Sequence, residues 1–478
     1  MIHRTPRTLC SIASLSLAAG AAFALAGPVI DGPTETVHVC WPIDESGALT
    51  GTTVQMEIAP EVLEFQSGRE RSAVADNRLD LVIVGDGYTT GEMAQYTADV
   101  SNVVSTFFLY EPFISYEPYF RVTQVDVVSP ESGVDNDPTQ GVSRVTALDM
   151  GYWCSGIERL LCVDTGKAYN AAFAAGVPGV DQMLALANSS KYGGAGYPGS
   201  NLGTAAGQNS SAVQIAIHEM GHSLGNLADE YDYGGAQTYT GGEPSSANSS
   251  IYTAAEQVAQ QRKWHQWVGA TGDPRFDDPI GSYEGSSYSV FGIYRPSGNS
   301  MMRSLFRQFN QPSAEALILQ IYRSVTPIDD ATTTALPIGS GETISVTPMR
   351  PIGHPLAVQW SVDGVPEPLL NGVELIDVDS LGLATGAHTV AVTVTDFTAM
   401  VRNEANRDLW MTQTRSWQLQ IGCLSPADLN GDGIVDLGDI SVFIDLFLAG
   451  DLTVDLNGDG ILDSGDIGAF IEAFLNPC

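Results

Sequence analysis

Hydrophobic and polar positions follow two rhythms along this chain, and the change between them divides it. The run Leu79-Asp80-Leu81-Val82-Ile83-Val84-Gly85-Asp86-Gly87-Tyr88 is largely apolar and β-branched and ends in glycines. It predicts a buried strand leaving its sheet through a turn. From Glu92 to Leu109 the residues Met93, Tyr96, Val100, Val103, Val104 and Phe107 fall at helical spacing. Phe120 to Val128 reads as a second strand, so strand, helix and strand predict an α/β layer, with a right-handed crossover if the strands are parallel. Gln182 to Asn188 is a further strand running into Gly193-Gly194-Ala195-Gly196-Tyr197. Those glycines read either as a bare turn or as a sheet edge open to an extended peptide. A helix is predicted from Ser210 or Ser211, carrying Val213, Ile217 and Leu224 into the core and ending at Gly225 in the left-handed conformation. Another between Pro312 and Tyr322 closes this unit near Pro327.

On either side the period is two. Segments such as Thr52 to Ile58 predict a few strands in residues 27–75, where we find no chemistry. Thr343 to Val346, Leu356 to Gly364 and His388 to Asp396 alternate between Gly and Pro turns, which predicts a β-sandwich over residues 335–421, with His388 an exposed strand residue.

The last segment, residues 426–478, repeats itself. In the first copy Asp428, Asn430, Asp432, Asp436 and Asp439 supply oxygens at loop positions one, three, five, nine and twelve, with the Ile434 carbonyl at seven. In the second the same places fall to Asp455, Asn457, Asp459, Asp463 and Asp466, with Ile461 at seven. A glycine at position six of each allows the sharp turn, so both copies fit a Ca²⁺ loop, each followed by an apolar helix. Aspartate at position twelve departs from the usual EF-hand glutamate. Ca²⁺ would also serve to hold together a unit too small to fold on its core alone.

The stretch with the sharpest chemistry is Ile217-His218-Glu219-Met220-Gly221-His222. Two histidines four apart share one helix face, so both imidazoles reach a single Zn²⁺ while Glu219 stands beside its open position. Zinc in a hydrolytic site needs a third protein ligand. The chain turns back through Ala228-Asp229-Glu230-Tyr231, which makes Asp229 the first candidate and Glu230 the alternative. His38, His265, His354 and His388 remain, but none has a spacing that argues for it. Met301 and Met302, after the turn-rich Tyr294 to Ser300, read either as plain core or as a soft floor beneath the ligands.

Composition adds compartment and partners. A basic start, an apolar stretch to Ala26 and the small-residue site Ala24-Leu25-Ala26 predict a signal peptide over residues 1–26, hence a secreted or cell-surface protein. No later apolar run approaches about 18 residues, so no membrane association is expected once the signal is removed. With 56 Asp and Glu against 21 Lys and Arg, a formal net charge of −35, the chain repels nucleic acid and anionic lipid. Export makes disulfides admissible, and spacing suggests Cys154 with Cys162 and Cys423 with Cys478, leaving Cys40 over.

Several of these stretches occur together in one known family. Val84-Gly85-Asp86-Gly87-Tyr88-Thr89, Ser132-Gly133-Val134-Asp135, Asn188 to Gly196, His218 to Tyr231, Tyr294-Arg295-Pro296 and Met301-Met302-Arg303 make residues 76–328 resemble the IgA-peptidase family of zinc metallopeptidases, a metzincin-like group. The resemblance implies an α/β metzincin-like catalytic domain with His218 and His222 on zinc, Glu219 as general base and Met301 or Met302 in the Met-turn. Ala228 stands where the metzincin box has its third histidine, with Asp229 one residue late. The tail resembles a dockerin repeat, which implies a cohesin-like or cell-surface partner, although Leu437-Gly438 and Ser464-Gly465 replace the usual Ser-Thr pairs. The expectation is therefore a secreted zinc endopeptidase acting on protein or peptide. Its rival is a catalytically silent adhesion or scaffold protein that uses the tail.

Overall fold

The chain enters as a hairpin, β1 (Thr34–Pro42) and β2 (Leu49–Glu57), followed by helix α1 (Pro60–Ser67). The computed structural model describes residues 32–43, 47–67, 77–232, 234–271, 279–422, 425–431 and 434–476. The expected signal peptide, Asp432 and the expected pairing of Cys423 with Cys478 lie outside the described residues.

The apolar run beyond residue 77 forms β3 (Leu79–Asp86), buried along its whole length. Helix α2 (Met93–Phe107) returns the chain to β4 (Phe120–Val125), parallel to β3. Then come α3 (Thr165–Ala174), β5 (Gln182–Ala187), β6 (Gly194–Tyr197), β7 (Leu202–Ala206) and α4 (Ala212–Ser223). One seven-stranded sheet runs β2-β1-β6-β7-β5-β3-β4, with β7, β5, β3 and β4 parallel and the pairings β2–β1, β1–β6 and β6–β7 antiparallel.

Period-two alternation decides which residues face which layer. Leu81 and Ile83 pack with Tyr96 and Val100 of α2 and Ile217 of α4, whereas Val82 and Val84 pack with Ala168 and Tyr169 of α3 on the opposite face. Covering on both faces is why β3 reads as a continuous apolar run. Asp86, at its end, is buried and accepts hydrogen bonds from the backbone N–H groups of Ala147, Leu148 and Met150 and from Ser129 Oγ. This carboxylate ties the following loop to the sheet. That loop is also closed by the disulfide between Cys154 and Cys162, as the spacing suggested, while Cys40 is free and buried.

Beyond α4 lie α5 (Ala254–Gln260), the hairpin β8 (Tyr283–Ser286) and β9 (Ser289–Arg295), and α6 (Gln311–Ser324). The next strands form two sheets. β10 (Ile328–Ala331), β12 (Thr343–Pro348) and β15 (Leu375–Asp377) make one. The other holds β11 (Ile338–Gly339), β17 (Thr412–Ile421), β16 (Gly386–Thr395), β13 (Ala357–Val362) and β14 (Val365–Pro366), with helix α7 (Glu404–Trp410) before β17. Ile344, Val346 and Ile376 of the first sheet share a core with Trp360, Val392 and Trp417 of the second. That core is continuous with the one under α4 and α6. Polar groups tie the two parts as well, since the Asp396 carboxylate accepts from the hydroxyls of Tyr116 and Tyr322, both at 2.7 Å.

Helices α8 (Leu437–Ala449) and α9 (Ser464–Leu475) end the chain, with Phe443 and Phe470 stacked at 4.2 Å between them. Among the described residues no helix is long and apolar enough to cross a membrane.

Candidate metal centre

Helix α4 lies unusually close to the sheet, and glycines make this possible. A Cβ on Gly194 would sit 2.4 Å from the Ile215 side chain, and one on Gly196 2.5 Å from Glu219 Oε2. On the other side a Cβ on Gly221 would meet Met302 Sδ at 2.5 Å. The tandem glycines of β6 are thus neither a bare turn nor an open edge. They let the helix approach, and the edge itself is covered by β1, which pairs antiparallel through His38 and Gly196.

The helix ends differently from the sequence expectation. Gly225 does not take the left-handed conformation; Asn226 does, at φ 48°. A Cβ on Gly225 would instead meet the Gly221 carbonyl at 2.8 Å and Leu317 at 2.9 Å. Tight packing, not a special dihedral, calls for glycine there. The turn brings Asp229 back under the helix.

Three ligand atoms converge. His218 Nε2 lies 3.1 Å from Asp229 Oδ1, His222 Nε2 lies 3.2 Å from the same oxygen, and the two Nε2 atoms are 3.2 Å apart. Ligands about 2.0–2.1 Å from a tetrahedral zinc stand about 3.3 Å from one another, so the triangle has the size of three corners of such a site. The far ring nitrogens are fixed: His218 Nδ1 donates to the Met301 carbonyl at 3.0 Å and His222 Nδ1 to the Leu227 carbonyl at 2.7 Å. With Nδ1 protonated in each ring, both Nε2 lone pairs are free for a metal. Asp229 Oδ2 accepts from the Tyr288 hydroxyl and lies 3.3 Å from His38 Nδ1. Ser287 and Tyr288, both at positive φ, make the tight β8–β9 turn that aims this tyrosine.

Glu230, the alternative third ligand, is turned away. Its carboxylate accepts from Asn248 and Asn310 Nδ2 on one oxygen and Ser300 Oγ on the other, which spends it on holding loops together. Met301 and Met302 are fully buried beneath the helix. Glu219 is buried too, and its Oε2 has no hydrogen-bond partner among the described residues.

Burial and neighbouring charge set the electrostatics. Burial pushes the Glu219 carboxyl up to about 7, against the opposing pull of His218. Burial would also raise Asp229, but the rings of His222 and His218 outweigh it and hold that carboxyl well below the usual range. His222 is lowered to about 4 by burial, with His38 acting in the same direction. Burial would lower His218, but Cys40 and Asp229 outweigh it and raise that ring, so a cation bound there displaces its proton. Two imidazoles and an ionised Asp229 are a donor set that suits a divalent cation.

Two segments depart from expectation. The N-terminal hairpin, in which the sequence shows no chemistry, brings His38 and Cys40 to this centre. The His38 ring stacks on His222 at 4.1 Å, and Cys40 Sγ lies 3.4 Å from Glu219 Oε1. Two ligand groups form here among the described residues, His38 with His222 and Asp229, and Cys40 with His218 and Glu219. The calcium loops, by contrast, show no such convergence among the described residues. Asp439 and Asp466 accept from backbone N–H groups of their own loops, as do Asp428, Asp436, Asp455, Asn457, Asp459 and Asp463. Asn430 and the carbonyls of Ile434 and Ile461 remain candidates on spacing alone.

Residues 70–275 match the family model described as IgA Peptidase M64. The chain carries a peptidase domain of that family. No curated protein matches. The M64 match contains His218, Glu219, His222 and Asp229, and a peptidase of this kind acts on protein or peptide. Tyr288, Met301, His38 and Cys40 lie outside the matched residues. Nothing local in the sequence marks the last two, because their partners are some 180 residues away in the chain and only sheet pairing brings them in.

Proposed function

We propose that the chain is a secreted zinc-dependent endopeptidase with His218, His222 and Asp229 as metal ligands and Glu219 as general base. The convergence of three ligand atoms beside an unpartnered Glu219 oxygen carries this reading. When bound, zinc supplies Lewis-acid polarisation of the scissile carbonyl and lowers the pKa of water. Glu219 accepts the proton of the attacking water and delivers it to the leaving amine, a role suited to a carboxyl pushed towards neutrality. Tyr288 holds the Asp229 carboxylate by its outer oxygen, and the Met301 and Leu227 carbonyls keep the two rings in register. The dockerin-like tail is read as a Ca²⁺-stabilised attachment module on its repeated spacing.

The test is metal analysis and casein digestion by the purified chain and its Glu219→Gln variant. Retained zinc with hydrolysis lowered by roughly 10²–10⁴-fold is expected. Full activity in the variant would sink the role of Glu219. Absence of both zinc and cleavage in the native chain would favour a scaffold.

A further inference from the structure

We infer that the chain is folded in a latent state, in which Cys40 is a further ligand of the metal and strand β1 occupies the place of the substrate. This rests on the peptidase reading above and deepens it.

Three independent observations meet at β1. The first is topological. An extended peptide binds a sheet by adding an antiparallel or parallel strand at a free edge. Here β6 lies against the ligand helix, and its outer edge is taken by residues of the chain's own N-terminal hairpin, in the antiparallel sense, with His38 opposite Gly196. The fit is close. A Cβ on Gly51 of β2 would stand 2.3 Å from the Tyr231 hydroxyl, so the hairpin packs directly on the segment that follows α4.

The second observation is which side chains β1 presents. Residues two apart on a strand share a face. Val37 and Val39 go down into the core beneath the sheet, so His38 and Cys40 go up towards α4. His38 stacks on His222, and Cys40 directs its sulfur at Glu219 in a group that also contains His218, with all three ligand atoms within 4.8 Å of one another. Cysteine sulfur is a zinc ligand of the first rank, and here it stands where the water and Glu219 must work.

The third is access. Cys40, His218, Glu219, His222 and Asp229 each expose no more than 1% of their surface. The orphaned Glu219 Oε2 is sealed in with them. A site that closed admits no polypeptide, and β1 is among the elements that cover it, with His38 on His222, Cys40 on Glu219 and the Tyr192 hydroxyl donating to the Cys40 carbonyl. The occupant lies upstream of residues 70–275, the stretch that matches the family model.

Ligation is balanced simply. The thiol gives up its proton, for which Glu219 Oε1 at 3.4 Å is the nearest acceptor, and the sulfur lone pair takes the position that water needs. Activity then requires β1 to leave. If about 1–10% of molecules are open and the sulfur–metal bond is what holds β1 down in the rest, removing the thiolate raises turnover about 10–100-fold.

The experiment uses the full chain loaded with zinc, native and Cys40→Ser. X-ray absorption of the native protein is expected to show one sulfur neighbour at roughly 2.3 Å from zinc, replaced by nitrogen and oxygen alone in the variant. Casein hydrolysis at equal zinc content is expected to rise in the variant by the factor above. A native spectrum without sulfur overturns the ligation, and needs no variant to fold. Equal activity in the two proteins overturns the latency. Should both bind zinc through nitrogen and oxygen and cleave equally in a chelator-sensitive way, the peptidase reading stands and this inference falls. Should neither bind zinc nor cleave, both fall.

Discussion

His218 Nε2 and Asp229 Oδ1 stand 3.1 Å apart, eleven residues distant in the chain, because the turn at Asn226 folds the segment after α4 back along the helix. At this separation the two groups are in direct hydrogen-bond contact, and the third corner, His222, is 3.2 Å from each.

Exchange of the two neighbouring acids separates ligand from scaffold. Asp229→Asn is expected to weaken zinc binding by roughly 100-fold or more, since even outer partners of a metal site are typically worth 10–100-fold. Glu230→Gln should keep its zinc and lose about 1–3 kcal/mol of stability, because the carboxylate serves Asn248, Ser300 and Asn310 instead. Competition titrations with a chelating dye, paired with thermal melts, distinguish the two. Equal zinc loss in both variants would contradict the assignment.

Tyr288→Phe removes the hydroxyl that serves Asp229 and that also lies 3.2 Å from His38 Nδ1. The phenol donates to Oδ2, the oxygen turned away from the histidine pair. Zinc affinity is expected to fall about 10–100-fold while stability changes by about 1 kcal/mol. An unaltered dissociation constant would remove Tyr288 from the site.

Gly196→Ala tests the close approach of helix and sheet. The new methyl would lie 2.5 Å from Glu219 Oε2 and 3.5 Å from the His222 Cβ, so the glutamate has to move. We expect about 1–3 kcal/mol of destabilisation and a loss of hydrolysis exceeding the loss of zinc. Gly91→Ala, whose nearest neighbour is Thr89 Oγ1 at 4.0 Å, is the control and should be neutral.

How far the sequence discloses this molecule follows from where its information sits. The Leu79 to Asp86 strand, helix α2 and the His218 to His222 face are legible because period and spacing are local properties. Asp229 is legible one step further, through the need for a third ligand and a chain that turns back. Three things are not. Asn226 rather than Gly225 takes the left-handed turn because Gly225 is required for packing against Leu317, a residue far along the chain. The glycines of β6 serve helix approach, a reason visible only once the helix is in place. His38 and Cys40 sit in an unremarkable alternating strand, and their meaning lies wholly in its pairing with β6.

The junction between the peptidase unit and the following sheets carries its own acid sensitivity. Asp396 is fully buried and accepts from Tyr116, Tyr322, His354 Nε2 at 2.8 Å and the Thr398 N–H at 2.8 Å. Burial alone would raise its carboxyl; the bond to His354 and those to the tyrosines outweigh it and hold the value below the ordinary 3.8. A group depressed in the folded state contributes stability that is present above its unfolded value and lost as pH falls through its folded one. The native chain should therefore exceed Asp396→Asn by about 1–3 kcal/mol near neutral pH. That advantage should shrink once the pH drops below the ordinary value of 3.8. Thermal midpoints of the two proteins at about pH 7 and about pH 3 measure it, the curves converging in acid. Parallel curves would mean that the carboxylate's charge, as distinct from its shape, contributes nothing to the junction.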